Sequence, residues 1–352
     1  MRTSACRTPY HGISRRKRME QDYNMPRLGI SRCLLGDEVR YDGRHKRDHF
    51  LTSVLGHYVQ WVPVCPEVEA GLGVPREAMQ LVEPAESPRL LTINTKKDLT
   101  GLINRFSNKR IRELKDLRLD GYVFKKDSPS CGIRHVQLYD SEDRPRPKGV
   151  GLFAQAFQQS FPSIPIEDEG RLQDVSNREN FIAQVFCSYR WNQLFKQAFT
   201  HKAIMTFHAQ HKYLLLAHSR THYEDLGRLV ASAKDFTPRR LAMLYSSTFM
   251  EALTVKTTVR KHVNVLQHLM GHLKKFLQPV EKEEFVEVIS DYHRGAVPLT
   301  IPLTLISHYV RIFKISYLAD QVYLHPHPKE LILRNHVQHD SKSYLQLSRV
   351  GR

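Results

Sequence analysis

Three of the five cysteines lie at or just beyond the end of a short apolar stretch of the sequence. Thiolates are soft ligands that bind zinc or iron–sulfur clusters. The paired Cys-x-x-Cys spacing of structural zinc sites is absent, which disfavours zinc. Three thiolates would leave one corner of a four-iron cluster open for a substrate atom. The placements are Cys33 after residues 28–31, Cys65 after residues 61–64, and Cys131 shortly after residues 122–124.

The cysteines also allow an interpretation without a cluster, and their number indicates the cellular compartment. Free cysteine is among the most buried residue types, so three ordinary buried thiols are the competing interpretation. Cys6 near the start and Cys187 on an apolar helix are expected to take no part in a cluster. An odd count of cysteines over a long chain is unlike a secreted disulfide scaffold. We therefore predict a reducing compartment and a cytoplasmic protein.

A candidate acid or base follows Cys65 directly. Pro66 favours an extended conformation for the residue before it, and side chains of an extended segment alternate between faces. Cys65 and Glu67 are then expected on the same side. Glu69 shares that face and could replace Glu67 as base, although a structural hydrogen bond is the favoured role for it.

Hydroxyl groups precede Cys131. Ser128 and Ser130 offer oxygen and proton donors, and Lys125 and Lys126 just before them would favour a thiolate and an anionic cluster.

The elements that must position these residues follow a βαβ rhythm. Apolar runs at residues 28–31, 58–64, 90–93 and 121–124 predict strands, and residues 49–57 and 100–117 predict helices. We predict a three-layer, Rossmann-like α/β domain with a mainly parallel sheet. The carboxyl ends of parallel strands share one edge, so cysteines separated by 31 and 65 intervening positions can meet there.

Strand signals end after residue 180, and long amphipathic helices replace them. The predicted order is a basic tail at 1–26, the α/β domain at 27–160, a proline-punctuated acidic linker at 161–179, an all-α domain at 180–336 and a polar tail at 337–352. Met25 is an alternative start. The predicted helices cover residues 181–199, 201–219, 238–277, 282–295 and 303–318.

The chain carries a formal charge of +17, which attracts phosphates and nucleic acid. Residues 180–335 contribute 20 Lys and Arg against 11 Asp and Glu. Solvated basic faces are common, so the charge alone identifies no partner. Because no run of eighteen apolar residues occurs, we expect no membrane span.

Histidines are concentrated in the helical half, where twelve of the nineteen lie between residues 181 and 335. Spacings of three and seven place a row of them on one stripe of a helix, and two more are four residues apart, which permits a metal or phosphate site. Acidic partners are few, so a structural or interaction role is favoured. The residues are His201, His208, His211, His218 and His222 in the stripe, and His268 and His272 in the pair.

Four motifs in the first half resemble those of the thiouracil desulfidase (TudS-like) family over about residues 27–160. The resemblance implies a [4Fe-4S] cluster held by Cys33, Cys65 and Cys131, an acid/base carboxylate at Glu67 and an assisting hydroxyl at Ser128. The motifs are SRCLLG at 31–36, VRYDG at 39–43, CPEVEAGLG at 65–73 and KDSPSCG at 126–132.

This resemblance implies non-redox cleavage of a carbon–sulfur bond in a small thiolated pyrimidine or a similar thiocarbonyl compound. Desulfuration of thionucleotides within tRNA is an alternative that the charge favours. A cluster-bearing nucleic-acid-binding or sensor protein without catalytic activity is the other.

The second half resembles the YbgA-like domain over about residues 180–335, a resemblance that brings no assigned activity but implies that such fusions are normal. Its positive charge suggests that it presents RNA or a nucleotide to the cluster. The matching segments are FHAQHKYLLLAH at 207–218, VNVLQHLMG at 263–271 and PLTIPL at 298–303.

Overall fold

The computed structural model describes residues 25–140, 142–194, 200–331 and 333–334. The predicted C-terminal tail, nearly all of the predicted N-terminal tail, and Cys6 lie outside the described residues. Two sheets come first in the chain, and helices follow. The strands are β1 Arg27–Ser31, β2 Gln60–Val64, β3 Met79–Val82, β4 Arg89–Thr92, β5 Gly121–Phe124, β6 Val136–Tyr139, β7 Pro145–Gly149 and β8 Ile166–Asp168.

The main sheet is parallel throughout, with strand order β2-β1-β5-β8. Ser31 pairs with Val64 in β2, and Ile30 pairs with Val123 in β5, so three carboxyl ends lie side by side. Close packing at Gly29 brings β5 against β1, because a Cβ there would lie 2.1 Å from the Tyr122 ring. The predicted parallel sheet is confirmed.

Helices cover both faces of this sheet, as the three-layer prediction requires. On one face, Tyr122 and Phe124 pack with residues of α2 Thr100–Leu117 and α3 Leu152–Ser160. On the other, Leu28 and Ile30 pack with residues of α4 Val175–Leu194. A single helical turn, α1 Pro66–Glu69, precedes these helices in the chain.

A second sheet of order β4-β3-β6-β7 was not predicted as such. It is mixed, since β3 pairs in parallel with β6 and the outer strands pair antiparallel. Of its strands, the sequence indicated only one, close to β4. The outer strand β7 reads Pro-Arg-Pro-Lys-Gly, and a proline-rich polar segment gives no strand signal because proline cannot donate to a ladder.

The predicted linker at 161–179 is wrong as a structural description. Its centre forms β8, which pairs with β5 from Tyr122↔Ile166 to Phe124↔Asp168. Its end already belongs to α4, which begins at Val175. No strand was predicted here because prolines and acidic residues lack the apolar pattern of a strand. Glu167 and Asp168 are nevertheless buried, and Arg134 forms ion pairs with both.

Most of the described residues beyond residue 200 belong to the predicted all-α region, which packs around its own apolar interior. The predicted helix at 238–277 is two helices, because Thr258 caps a new helix by accepting from Lys261 N. The helix Arg220–Ala231 was not predicted, and the prediction at 181–199 began six residues late. The bounds are α5 His201–His218, α6 Arg220–Ala231, α7 Pro238–Thr254, α8 Val259–Leu273, α9 Pro279–Arg294, α10 Thr300–Ile312 and α11 Ser316–Ala319.

Among the described residues, no helix is both long enough and apolar enough to cross a bilayer.

Candidate functional site

Three neighbouring strands deliver the three cysteines to one edge of the main sheet. Cys33 lies in the 3₁₀ turn Arg32–Leu35 that follows β1 directly. Cys65 follows β2 and is the N-cap of α1. Cys131 lies in the loop at residues 125–135 that follows β5. Because β1 lies between β2 and β5, the three segments are adjacent in space.

All three cysteines line one cavity of about 530 Å³, together with Glu67 and Ser128. Their exposures are 8%, 9% and 6%, so each thiol is nearly enclosed. The structure therefore brings every residue predicted for the site to the wall of the same cavity. Cys187 lies elsewhere, in the interior of the helical region.

Burial controls the acidity of these thiols. It raises the pKa of Cys33 to about 12, although Lys125 acts in the opposite direction. Burial also raises the pKa of Cys65 and, well beyond its ordinary value, that of Cys131. The nearby thiols and Glu67 add to the rise for Cys131, so their charges interact. Burial thus favours the protonated thiols, and a cation bound in the cavity would favour the thiolates.

The backbone beside Cys65 differs from the predicted extended segment. Residues 66–69 form the helical turn α1, with Pro66 at its first position, where a missing N–H is tolerated. Glu67 nevertheless reaches the cavity wall. Proline thus restricted Cys65 itself, as expected, while the chain turned into a helix beyond it.

Two side chains hold the Glu67 carboxylate in place. Ser130 Oγ donates to Oε1 at 2.9 Å, and Arg76 Nε donates to Oε2 at 2.9 Å, with a second bond from Arg76 Nη2. Arg76 Nη2 also donates to Val39 O at 3.0 Å, an oxygen that lies 3.9 Å from Cys65 Sγ. The ion pair is enclosed, since the two side chains are 9% and 12% exposed.

Glu69 has the structural role favoured for it. Its Oε1 accepts a 2.7 Å bond from Cys65 N, and its Oε2 lies 3.5 Å from Arg110 Nε. The carboxylate thereby fixes the backbone of the cysteine.

Ser128 stabilises the loop that carries Cys131. Its Oγ accepts bonds from Ser130 N at 3.3 Å and from Cys131 N at 3.1 Å. Accepting leaves the hydroxyl proton available for donation.

Arg76 and Ser130 are the members of the site that sequence reasoning undervalued. Arg76 lies in a loop, where the sequence alone favours a solvated arginine over one that holds an anionic substrate. Ser130 was grouped with Ser128 without a role of its own, yet its side chain is fully buried. The SPSC motif contains Ser130, but only the fold shows that it donates to Glu67.

Cationic side chains outnumber acidic ones in the wall of the cysteine cavity. Some are already paired, as Lys125 is with Glu169. The surplus favours anionic occupants. The charged residues of the wall are Arg32, Arg40, Lys46, Arg76, Lys125 and Lys126, against Glu67 and Asp127.

The donor set of the cavity suits some metal groups better than others. In the described part of the chain, no three His, Cys, Asp or Glu side chains are grouped to bind a single metal ion. An iron–sulfur cluster makes a different demand, because each thiolate binds its own iron. Three enclosed thiols around a cavity of about 530 Å³, with surplus positive charge in its wall, fit that demand.

The histidine stripe forms no comparable site. Several of its members bond to neighbouring carbonyl or hydroxyl groups instead, as His211 Nδ1 does to Phe207 O at 2.7 Å and His218 Nδ1 to Val255 O at 2.7 Å. His272 Nε2 lies 2.7 Å from Tyr213 OH. Because a carbonyl oxygen only accepts, Nδ1 of His211 and of His218 carries a proton.

Comparison with known families divides the chain in the same way as the fold does. Residues 28–169 match the family described as 2-thiouracil desulfurase. Residues 28–169 form a 2-thiouracil desulfurase family domain. Residues 212–328 match the family described as a protein of unknown function, DUF1722, and lie within the helical region. The first match extends past residue 160 and so includes β8.

Individual relatives support this fusion of a desulfurase domain with a DUF1722 domain. The chain is 27% identical over 160 residues to the uncharacterized protein YbgA of Escherichia coli (strain K12), covering 45% of this chain and 94% of YbgA. It is 26% identical over 108 residues to the uncharacterized protein YbbK of Bacillus subtilis (strain 168), covering 29% of this chain and 71% of YbbK.

A solved structure described as a [4Fe-4S]-dependent thiouracil desulfidase, TudS, is 25% identical and has a TM-score of 0.34. The match covers 42% of this chain and 93% of that chain.

Proposed function

We propose that the desulfurase domain removes sulfur from a thiolated pyrimidine or a similar thiocarbonyl compound, with a [4Fe-4S] cluster bound by Cys33, Cys65 and Cys131. The observation that carries the proposal is the convergence of three enclosed cysteines and Glu67 on one cavity. The family description of residues 28–169 supports the same reaction.

The three thiols are the ligands in this proposal because they are the soft donors of the cavity wall. When bound, such a cluster supplies a Lewis-acidic iron with affinity for sulfur. Burial raises the pKa of Cys33 and of Cys65, and Lys125 and Arg76 oppose that rise at the two thiols, so both cations favour the thiolates that ligation requires.

Glu67 is the proposed general base. Arg76 and Ser130 fix its carboxylate, which can accept a proton from water as the oxygen adds to the thiocarbonyl carbon. The carbon–sulfur bond then breaks, and sulfur leaves as hydrosulfide while a carbonyl forms. Ser128 donates or relays a proton from its hydroxyl. Water replaces sulfur by oxygen, so the reaction needs no oxidant or reductant.

The dimensions of the cavity suit a small substrate. At about 530 Å³ it lies within the usual range for ligand pockets of about 300–1,000 Å³. Tyr41, Met79 and Ile93 provide apolar wall beside the polar groups, as a planar heterocycle requires.

The test compares the full chain with two variants after anaerobic reconstitution with iron and sulfide. Cys65→Ala should lose most of its bound iron and all release of sulfide from 2-thiouracil. Cys187→Ala is the matched control, because Cys187 is a buried cysteine outside the cavity, and it should retain both.

Cys65→Ala protein that kept its iron and still desulfurated 2-thiouracil would refute the proposal. Wild-type protein that bound iron but released no sulfide would favour the non-enzymatic sensor instead.

A thionucleotide within tRNA is the second candidate substrate, favoured by the cations of the cavity wall and the net charge of +17. RNA binding that neutralises six or more phosphates should weaken by about a thousandfold between 50 and 200 mM salt. Binding insensitive to salt, with turnover of free 2-thiouracil, would favour the small substrate.

A further inference from the structure

A second cavity, of about 540 Å³, lies in the helical part of the chain. One wall is the helix α10, and the other is formed by residues 324–329 and 333–334. It shares no residue with the cysteine cavity, whose wall comes from residues 31–131. Neither the proposed desulfuration nor the family descriptions assign it a role.

The wall of this second cavity combines apolar surface with positive charge. Leu303, Val310 and Leu324 contribute apolar area, while Arg311 and Lys329 contribute cations. Among the described residues of this wall, none is an aspartate or a glutamate. Arg334 is also present, but Glu179 neutralises it through a 2.9 Å ion pair.

Arg311 and Lys329 make no ion pair with any residue of the described ranges. Their charges converge, since both act together with Arg334 on His325 at the rim, where burial and these cations lower the pKa of the imidazole. Cations gathered without a counter-charge repel one another, and an anion between them removes that repulsion.

The rim is held in position before any ligand binds. Arg190 Nη2 donates to Pro326 O at 2.6 Å and to His325 O at 3.3 Å, which fixes the segment opposite α10. His327, 9% exposed, also lies in this wall, and its Nδ1 is 3.1 Å from Pro328 O. A preorganised wall lowers the cost of binding.

One buried polar atom in this wall lacks a partner. Nε2 of His327 makes no hydrogen bond to any described residue. Burial lowers the pKa of His327 to about 4, so the ring is neutral near pH 7. Nδ1 donates to a carbonyl, so Nε2 of the neutral ring carries a lone pair. This nitrogen can accept a hydrogen bond but has no donor among the described residues.

We propose that this cavity binds a phosphate monoester with an apolar or aromatic body, such as a nucleoside monophosphate. The dianionic phosphate would lie between Arg311 and Lys329, and the body would lie against the apolar wall of α10. Thr304 and Ser307 donate their own protons to carbonyls one turn earlier, which leaves their oxygens to accept from ligand hydroxyls. A free mononucleotide and the phosphorylated end of an RNA strand share this chemistry.

The probe is adenosine 5′-monophosphate, titrated by calorimetry into the full chain, with adenosine and inorganic phosphate as comparisons. The monophosphate should bind at one saturable site, and adenosine should bind about tenfold or more weakly, because it lacks the charged contacts. Arg311→Ala with Lys329→Ala should weaken the binding by at least about tenfold.

Two matched pairs of substitutions locate the site. Arg239→Ala with Arg240→Ala removes two basic residues elsewhere in the helical region, and Arg40→Ala with Lys46→Ala removes two at the cysteine cavity. Both pairs should leave this binding unchanged. A short RNA bound more tightly with a 5′-phosphate than with a 5′-hydroxyl, and more tightly than the mononucleotide, would identify a strand end as the source.

The proposal is overturned if neither the mononucleotide nor the phosphorylated RNA binds at millimolar concentration. It is equally overturned if the Arg311 and Lys329 variant binds as the wild type does while its thermal unfolding is unchanged, or if adenosine binds as well as its monophosphate.

Discussion

The arrangement around Glu67 shows how individual side chains define the candidate site. Its carboxylate is enclosed, bonded by one serine and one arginine, and lies in the same cavity wall as three cysteines. Glu69, two residues later, instead bonds to the backbone of Cys65. The two carboxylates of this helical turn thus have different roles: Glu67 lies in the cavity wall, and Glu69 holds the backbone of Cys65.

Glu67→Gln should lower desulfuration by about 10²–10⁴-fold, the usual contribution of a general base, because an amide cannot accept the proton. Iron content should stay at the wild-type level, since no thiol is changed. Steady-state rates of sulfide release and iron analysis measure the two effects.

Glu69→Gln is the control for this substitution. Its amide oxygen can still accept from Cys65 N, so activity should change only a few-fold. Equal losses in the two variants would remove Glu67 from its proposed role.

In the helix α5, too, the position of each side chain in the fold decides its role. Its histidines follow a spacing that suggested a ligand stripe, yet His211 and His218 are 1% and 2% exposed and bond to backbone carbonyls. Burial lowers the pKa of His211 to about 3 and that of His218 to about 4. These residues are neutral parts of the helical interior.

This burial predicts acid sensitivity of the helical region. The ordinary histidine pKa is 6.5. Between pH 6.5 and about 4, His211 and His218 are therefore protonated in the unfolded chain but neutral in the folded chain. Stability therefore falls as the pH is lowered through this window, by about 1.4 kcal/mol per buried histidine and pH unit. Urea unfolding followed by circular dichroism at pH 7.0, 6.0 and 5.0 measures the loss.

His218→Asn keeps a donor near Val255 O but does not titrate, so its stability should depend less steeply on pH. A stability that is constant from pH 7 to 5 in the wild type would contradict the prediction.

At the scale of the whole molecule, the α/β and helical parts are joined by more than a connecting segment. Leu331 and Leu333, near the end of the described chain, pack with Leu28 and Ile182 beside the main sheet. Arg334 pairs with Glu179 at 2.9 Å and donates to Tyr323 O at 2.7 Å.

Arg334→Ala should destabilise the full chain by about 3–5 kcal/mol, because it removes the enclosed ion pair with Glu179 together with the hydrogen bond to Tyr323 O. The side chains are 7% and 12% exposed, so solvent cannot compensate. Arg220→Ala is the control, since its pair with Glu224 lies on the surface, where solvent screens it, and its loss should change the stability little. Thermal and urea unfolding measure the loss of stability in both variants. Equal losses would contradict the prediction.

Much of the fold could be predicted because local patterns report local structure. The periodicity of residues 100–117 and the apolar run at residues 121–124 give a helix and a strand with the bounds that the structure has. Strands β7 and β8 were missed because proline and buried acidic residues mask the pattern. Their pairing depends on distant partners, such as β5 for β8.

The sequence by itself determined the chemistry that the protein carries: three cysteines, each placed after a strand, a carboxylate two residues beyond one of them, and two motif-bearing halves. Only the tertiary structure decided which groups meet. The strand order brings Cys33, Cys65 and Cys131 to one cavity, and Arg76 and Ser130 to Glu67. Spacing along a chain fixes neighbours within an element, whereas contacts between elements depend on how their apolar faces pack.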